Sequence, residues 1–230
     1  MNSALLAPLK ERINRVEARI VAACARAGRA RSDVTLVAVT KTVDVEVASC
    51  LPALGIVDLG ENRPQELWRK AAALSRDVRW HLIGHLQRNK VERTLPLIHL
   101  IHAVDSVRLL EALEQQANDV GVLLEVNASG ESSKHGFAPD DVLPLVPTLR
   151  RLQHVRVGGL MTMAALQAPE ACRPTFRALR ELRDRLKAEL VGLHAVEHLS
   201  MGMSNDFEVA IEEGATFLRL GSVLFEGIAP

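Results

Sequence analysis

Eight short apolar runs recur along the chain, and they constrain its fold more than any other feature. They are VTLVAV at 34–39, IVDLG at 56–60, VRWHLIG at 78–84, LIHLIHAV at 97–104, VGVLLEVN at 120–127, VRVGGLM at 155–161, AVEHLSM at 195–201 and TFLRLG at 216–221. Most are β-branched and nearly continuous, the pattern of strands buried on both faces. Between them lie helical spacings: Val107, Leu110 and Leu113 within 106–118, and Phe176, Leu179, Leu182 and Leu186 within 174–190. Strand and helix alternate throughout, so the strands should pair in parallel through right-handed crossovers. Eight is the number at which such a sheet closes around a filled interior.

The expected fold class is therefore α/β, a single TIM-like (β/α)8 barrel, with a doubly wound open sheet as the alternative. Few residues follow the eighth run, and an amphipathic segment at about 3–27 precedes the first. That extra N-terminal helix is expected to cover the gap left by a missing eighth helix. The chain has 230 residues, near the roughly 250 of an α/β barrel, and no low-complexity linker, so one domain spanning 1–230 is expected.

Basic and acidic residues balance at 28 each, which removes the field that would draw the chain to nucleic acid or an anionic membrane. Small-molecule partners are expected instead. Cys24, Cys50 and Cys172 are odd in number and lie among apolar neighbours, which suits reduced structural thiols. The N-terminus has charges within ten residues and no apolar signal core, so a cytoplasmic location is expected.

In parallel barrels the chemistry sits where the strands end. The first run closes on Thr40 and Lys41, placing an amine at the mouth, beside an apolar wall that would favour its neutral, nucleophilic form. The other five lysines, Lys10, Lys70, Lys90, Lys134 and Lys187, lie in polar stretches. A lysine that merely reaches solvent at a strand end is the plainer alternative for Lys41.

The eighth run carries Arg219 and ends in Gly221 and Ser222, suited to receiving a phosphate; otherwise Arg219 pairs with a buried carboxylate, Glu61 or Glu125. The seventh breaks into Ser200, Met201, Gly202, Met203, Ser204, Asn205 and Asp206, a second set of small donors or else a helix cap. If strands one and eight pair, Lys41, Arg219 and this loop converge on one mouth. Asn62, closing the second run, would contact a ring substituent or cap the next helix. His81 and His85 read as satisfied structural residues, and Lys134 as part of a solvated loop. His194, Glu197 and His198 match the H-x-x-E-H order of one zinc peptidase class, but their setting reads as a strand rather than a helix, and the match is taken as accidental.

The segments VTLVAVTKT, GENRPQE, WHLIGHLQRNK, VDS, VGGLMTM, HLSMGMSND and FLRLGS together resemble the pyridoxal phosphate homeostasis proteins, which are similar to the barrel domain of alanine racemase. The resemblance spans about the whole chain. It implies that Lys41 carries pyridoxal 5'-phosphate as a Schiff base and that Arg219 faces the pyridine nitrogen. It further implies that Ser200, Gly221 and Ser222, with nearby amides such as that of Met201, hold the phosphate, and that Asn62 lines the ring.

An arginine opposite the ring nitrogen disfavours its protonation and weakens the ring as an electron sink. A two-base racemase also needs a second acid/base, usually a tyrosine from another domain, and this sequence has no tyrosine. The resemblance thus implies a non-catalytic carrier acting in vitamin B6 homeostasis. A weak racemase-like enzyme is the alternative and a zinc peptidase the remote one. The expected state is a monomer, with pyridoxal phosphate and the apoenzymes that use it as partners. Departures from the family pattern are Ser222, where threonine is frequent, and the tail from Leu224 to Gly227.

Overall fold

The computed structural model describes residues 3–129 and 135–228. Its strands are β1 Thr35–Val39, β2 Asp58–Glu61, β3 Arg79–Leu82, β4 Ile98–Val104, β5 Val120–Glu125, β6 Val155–Met161, β7 His198–Ser200 and β8 Phe217–Leu220. They pair in chain order, all parallel, and β8 returns to β1 through a ladder from Thr35↔Phe217 to Ala38↔Leu220. That ladder closes the barrel and rules out the open sheet. Each apolar run marks one strand; β6 fills its run, β2 extends one residue past its own to Glu61, and the others are shortened where their ends turn into loops.

The helices are α1 Ser3–Arg26, α2 Val45–Cys50, α3 Pro64–Ala71, α4 Val91–Thr94, α5 Val107–Glu114, α6 Pro139–Val142, α7 Val146–Leu149, α8 Arg173–Glu189, α9 Phe207–Glu212 and α10 Ser222–Phe225. Helix α8 buries Phe176, Leu179, Leu182 and Leu186, the stripe its spacing predicts. Helix α10 is only four residues long, too short to cover a strand. Helix α1 lies against α9, α10 and α2, burying Leu9, Ile13, Val16 and Ile20. Arg19 and Arg26 bond Glu208 and Glu212 of α9 at 2.7 and 2.8 Å, so α1 fills the outer position that a full eighth helix would take.

Successive side chains on a strand face opposite ways. Leu36, Ala38, Val122, Leu124 and Leu218 accordingly join the core between strands and helices, while Val37, Leu123 and Phe217 form a smaller cluster inside the barrel with Leu100, Ala103 and Met161. The three cysteines are buried and form no disulfide among the described residues, and burial pushes the Cys24 and Cys50 thiols up. Among the described residues no helix is long and apolar enough to cross a membrane.

Candidate functional site

Strand β1 delivers Lys41 to the barrel mouth in a tight turn. Val43 donates its N–H to the Thr40 carbonyl at 3.1 Å, which leaves Lys41 and Thr42 exposed at the tip and Thr40 and Val43 buried at the base. Lys41 therefore meets solvent rather than the apolar wall expected of it; the first strand ends at Val39, and the turn that follows tips the amine outward.

Among the described residues the buried lysine is Lys70, which the polar stretch around it concealed. It is 1% exposed on α3, and its ammonium donates to the carbonyls of Thr40 (2.6 Å) and Val43 (2.8 Å) and to Glu61 Oε1 (2.6 Å). Glu61 Oε1 also accepts the Thr40 hydroxyl at 2.6 Å, while its Oε2 is buried without a partner. One ion pair thus grips both ends of the turn that presents Lys41. The available signal was spacing: Pro64, Leu67 and Lys70 fall on one buried helical face.

Arg219 points into the barrel below the mouth, 4% exposed. Its guanidinium donates to the Ser200 hydroxyl (2.6 Å) and the Thr162 carbonyl (2.9 Å), both neutral acceptors. Among the described residues no carboxylate forms an ion pair with it. Glu61 is held by Lys70, and the Glu125 carboxyl is raised, first by burial and then by Asp105. Burial brings Arg219 down to about 10, against the opposing pull of Asp206 and Glu125. A buried cation without a paired anion leaves the floor of the mouth electropositive.

Ser200 is fully buried, and its hydroxyl is committed to Arg219 and to His102 Nδ1 at 2.7 Å. Met201 is buried too, and its N–H donates to the Phe217 carbonyl at 3.2 Å, so neither group turns a donor toward the opening. The loop beyond them does face β8. Asp206 Oδ1 accepts the Met203 N–H at 2.6 Å, and Ser204 Oγ accepts the Val223 N–H at 3.2 Å. Gly202 sits at φ 93°, with the place of a Cβ only 2.6 Å from Ala210 Cβ. Across the seam, a Cβ on Gly221 would lie 3.3 Å from the Val39 carbonyl, and Ser222 is exposed. Lys41, Arg219 and the 221–223 turn are therefore gathered where β8 meets β1.

Asn62 follows β2 and is half-buried; Arg63, not Asn62, is the cap residue of α3. Asn62 borders a cleft shared with Gln65, His85, Gln87 and Lys90. His85 bonds Asp105 at 2.7 Å and stacks on His135. His81 is buried with both ring nitrogens bonded, to Asp58 and to His102. Lys134 lies outside the described residues.

The H-x-x-E-H segment is not helical. His194 precedes β7 and bonds the Leu149 carbonyl at 2.9 Å, Glu197 pairs with Lys187 at 2.6 Å, and His198, on β7, meets Thr216 at 3.3 Å. Its two imidazoles therefore share no helical face, the arrangement that a zinc peptidase of this class requires.

Residues 13–229 match the family described as alanine racemase, N-terminal domain. The chain is 46% identical over 221 residues to a pyridoxal phosphate homeostasis protein of Aquifex aeolicus, covering 94% of this chain and 96% of that one. It is 38% identical over 226 residues to the protein of that name from Pseudomonas aeruginosa, covering 96% of each. Among solved structures it resembles PipY of Synechococcus elongatus with PLP bound, at 31% identity and a TM-score of 0.80, over 94% of this chain and 99% of that one. The chain belongs to the pyridoxal phosphate homeostasis proteins, a family built on the N-terminal barrel of alanine racemase.

Proposed function

We propose that this chain binds pyridoxal 5'-phosphate as a Schiff base on Lys41 and acts as a carrier of the cofactor in intracellular vitamin B6 homeostasis, without catalytic turnover of its own. The observation that carries this is the buried Arg219 beneath the mouth, bonded to neutral acceptors rather than a carboxylate. The mouth fits the cofactor's chemistry: an exposed primary amine for the aldehyde, a fixed cation for the ring nitrogen, and the Gly221–Ser222 corner for the phosphate, with Asn62 at the ring's edge.

Bound there, the cofactor would supply an electrophilic carbon and an aromatic ring able to delocalise charge. The protein's residues limit that use. Arg219 remains cationic at neutral pH and offers N–H donors only, so it supports an unprotonated ring nitrogen. Lys70 and Glu61 hold the Lys41 turn still. Ser200 and Met201 act from beneath, the first by accepting from Arg219 and the second through its place in the β7–β8 ladder. We infer that the chain works in the cytoplasm as a single-domain monomer, and that its partners are pyridoxal phosphate and the apoenzymes that use it, not nucleic acid or membrane.

Borohydride reduction of the loaded protein should fix one pyridoxyl group, mapped by peptide analysis to Lys41 and abolished by Lys41→Ala. Label on another lysine, or none after incubation with free cofactor, defeats the proposal. Racemisation of D- or L-amino acids at ordinary enzyme rates, about 1 to 10³ per second, would establish the enzyme alternative instead.

A further inference from the structure

Below the mouth, the barrel interior holds a column of hydrogen bonds that the cofactor-contacting groups do not account for. It begins at the N-terminal end of the barrel, where Arg79 on β3 forks onto Asp58 on β2 at 2.8 and 2.5 Å. Asp58 Oδ1 lies 2.9 Å from His81 Nε2, and His81 Nδ1 lies 2.9 Å from His102 Nε2. His102 Nδ1 lies 2.7 Å from Ser200 Oγ, which meets Arg219 Nη1 at 2.6 Å. His81, His102 and Ser200 are 0% exposed.

Donor and acceptor accounting gives the column one arrangement with no charged imidazole. A guanidinium only donates, so Ser200 Oγ accepts from Arg219, and the serine's single hydrogen goes to His102 Nδ1. His102 must then carry its proton on Nε2 and donate to His81 Nδ1, which leaves the His81 proton on Nε2, pointing at the Asp58 carboxylate. Every group is satisfied with both imidazoles neutral. Moving the His102 proton to Nδ1 would take from the serine hydrogen its acceptor and require His81 to donate from both nitrogens, placing a positive charge on His81 beside Asp58.

The surroundings oppose a charge on His102. Burial, first of all, and the Arg219 guanidinium keep His102 well below the usual imidazole range. Phe217 packs against His81, His102 and His198 with ring centroids 5.7, 5.3 and 4.9 Å away. At the far end, burial of Asp58 is outweighed by the Arg79 and His81 hydrogen bonds, which hold its carboxyl at about 2.

We propose that Asp58, His81, His102 and Ser200 are positioning residues: a one-way column that makes the Ser200 hydroxyl a fixed acceptor for Arg219 and so holds the guanidinium in one orientation beneath the mouth. The column stands on its own geometry; only what Arg219 faces rests on the pyridoxal phosphate reading.

The test uses full-length protein labelled with ¹⁵N-histidine and free of cofactor, with long-range ¹H–¹⁵N spectra at pH 7 assigned through His81→Gln and His102→Gln. Both rings should be neutral and protonated on Nε2. A His102 ring protonated on Nδ1, or on both nitrogens, overturns the proposal. Ser200→Ala should shift the His102 nitrogen signals. In the loaded protein it should also move the absorption maximum of the bound cofactor and weaken retention on the order of tenfold, the size of one charge-assisted hydrogen bond, with Ser200→Thr restoring both. Unchanged absorption and retention in Ser200→Ala refute it. If wild-type protein takes up no pyridoxal phosphate, the cofactor proposal fails, while the nitrogen spectra still decide the column.

Discussion

Replacing Lys70 with methionine isolates the clamp beneath the Lys41 turn. The side chains are of similar length, so the change removes charge and donors more than volume. Three acceptors lose the ammonium at once, the Thr40 and Val43 carbonyls and Glu61 Oε1, at 2.6, 2.8 and 2.6 Å, and only the Val43 N–H and the Thr40 hydroxyl remain on the first and third. Glu61 is 0% exposed, and its other oxygen is already without a partner. Breaking a buried ion pair from one side costs about 3–5 kcal/mol, because the remaining charge stays in a dry site. That is a large share of a typical total stability of about 5–15 kcal/mol. With a urea slope of about 3 kcal/mol per molar, the unfolding midpoint should fall by on the order of 1–2 M. Adding Glu61→Gln to Lys70→Met removes the stranded charge and should recover more than about 1 kcal/mol, although the two carbonyls stay without the ammonium. Equilibrium urea denaturation of the wild type, both single variants and the double variant measures the cycle. A Lys70→Met midpoint within about 0.3 M of wild type, or a double variant no more stable than Lys70→Met, refutes the reasoning.

Two further outcomes follow from the site. The Asp58 carboxyl is held at about 2, below the ordinary aspartate value, so its contribution to stability is present above the unfolded value near 3.9 and is lost as pH falls through about 2. It amounts to roughly 2 kcal/mol, and Asp58→Asn should flatten the acid limb of stability between about pH 4 and 2, read by thermal melts across that window. Gly202→Ala places a Cβ against Ala210 Cβ at a φ of 93°, adding backbone strain of about 1–3 kcal/mol to the steric cost. Its melting temperature should drop by several degrees, and a melt unchanged from wild type would show that the loop after β7 shifts freely.

The barrel was legible because its information is local and repeated. Eight apolar runs with helical spacings between them fix strand count and parallel pairing, and the stripe of Phe176, Leu179, Leu182 and Leu186 names the buried face of α8 before any fold is known. Arg219 was also legible as a charge inside a strand, but its partners were not. Sequence supplies Glu61 and Glu125 as plausible carboxylates, and the fold gives Glu61 to Lys70 and leaves Arg219 to Ser200 and Thr162.

By itself, then, the sequence determined the closed parallel barrel, the placement of Lys41 where β1 ends, and the family, since these rest on periodicity, strand ends and long distinctive segments. Tertiary structure alone decided that Lys70 rather than Lys41 is the buried lysine, that Ser200 turns its hydroxyl inward, and that Asp58, His81 and His102 line up beneath it. The physical reason is closure. Wrapping the sheet brings residues from β2, β3, β4, β7 and β8, up to 98 positions apart at the His102–Ser200 link, into one interior of low polarity, where each buried donor must find an acceptor. Those obligations arise between strands, and no stretch of a single strand contains them.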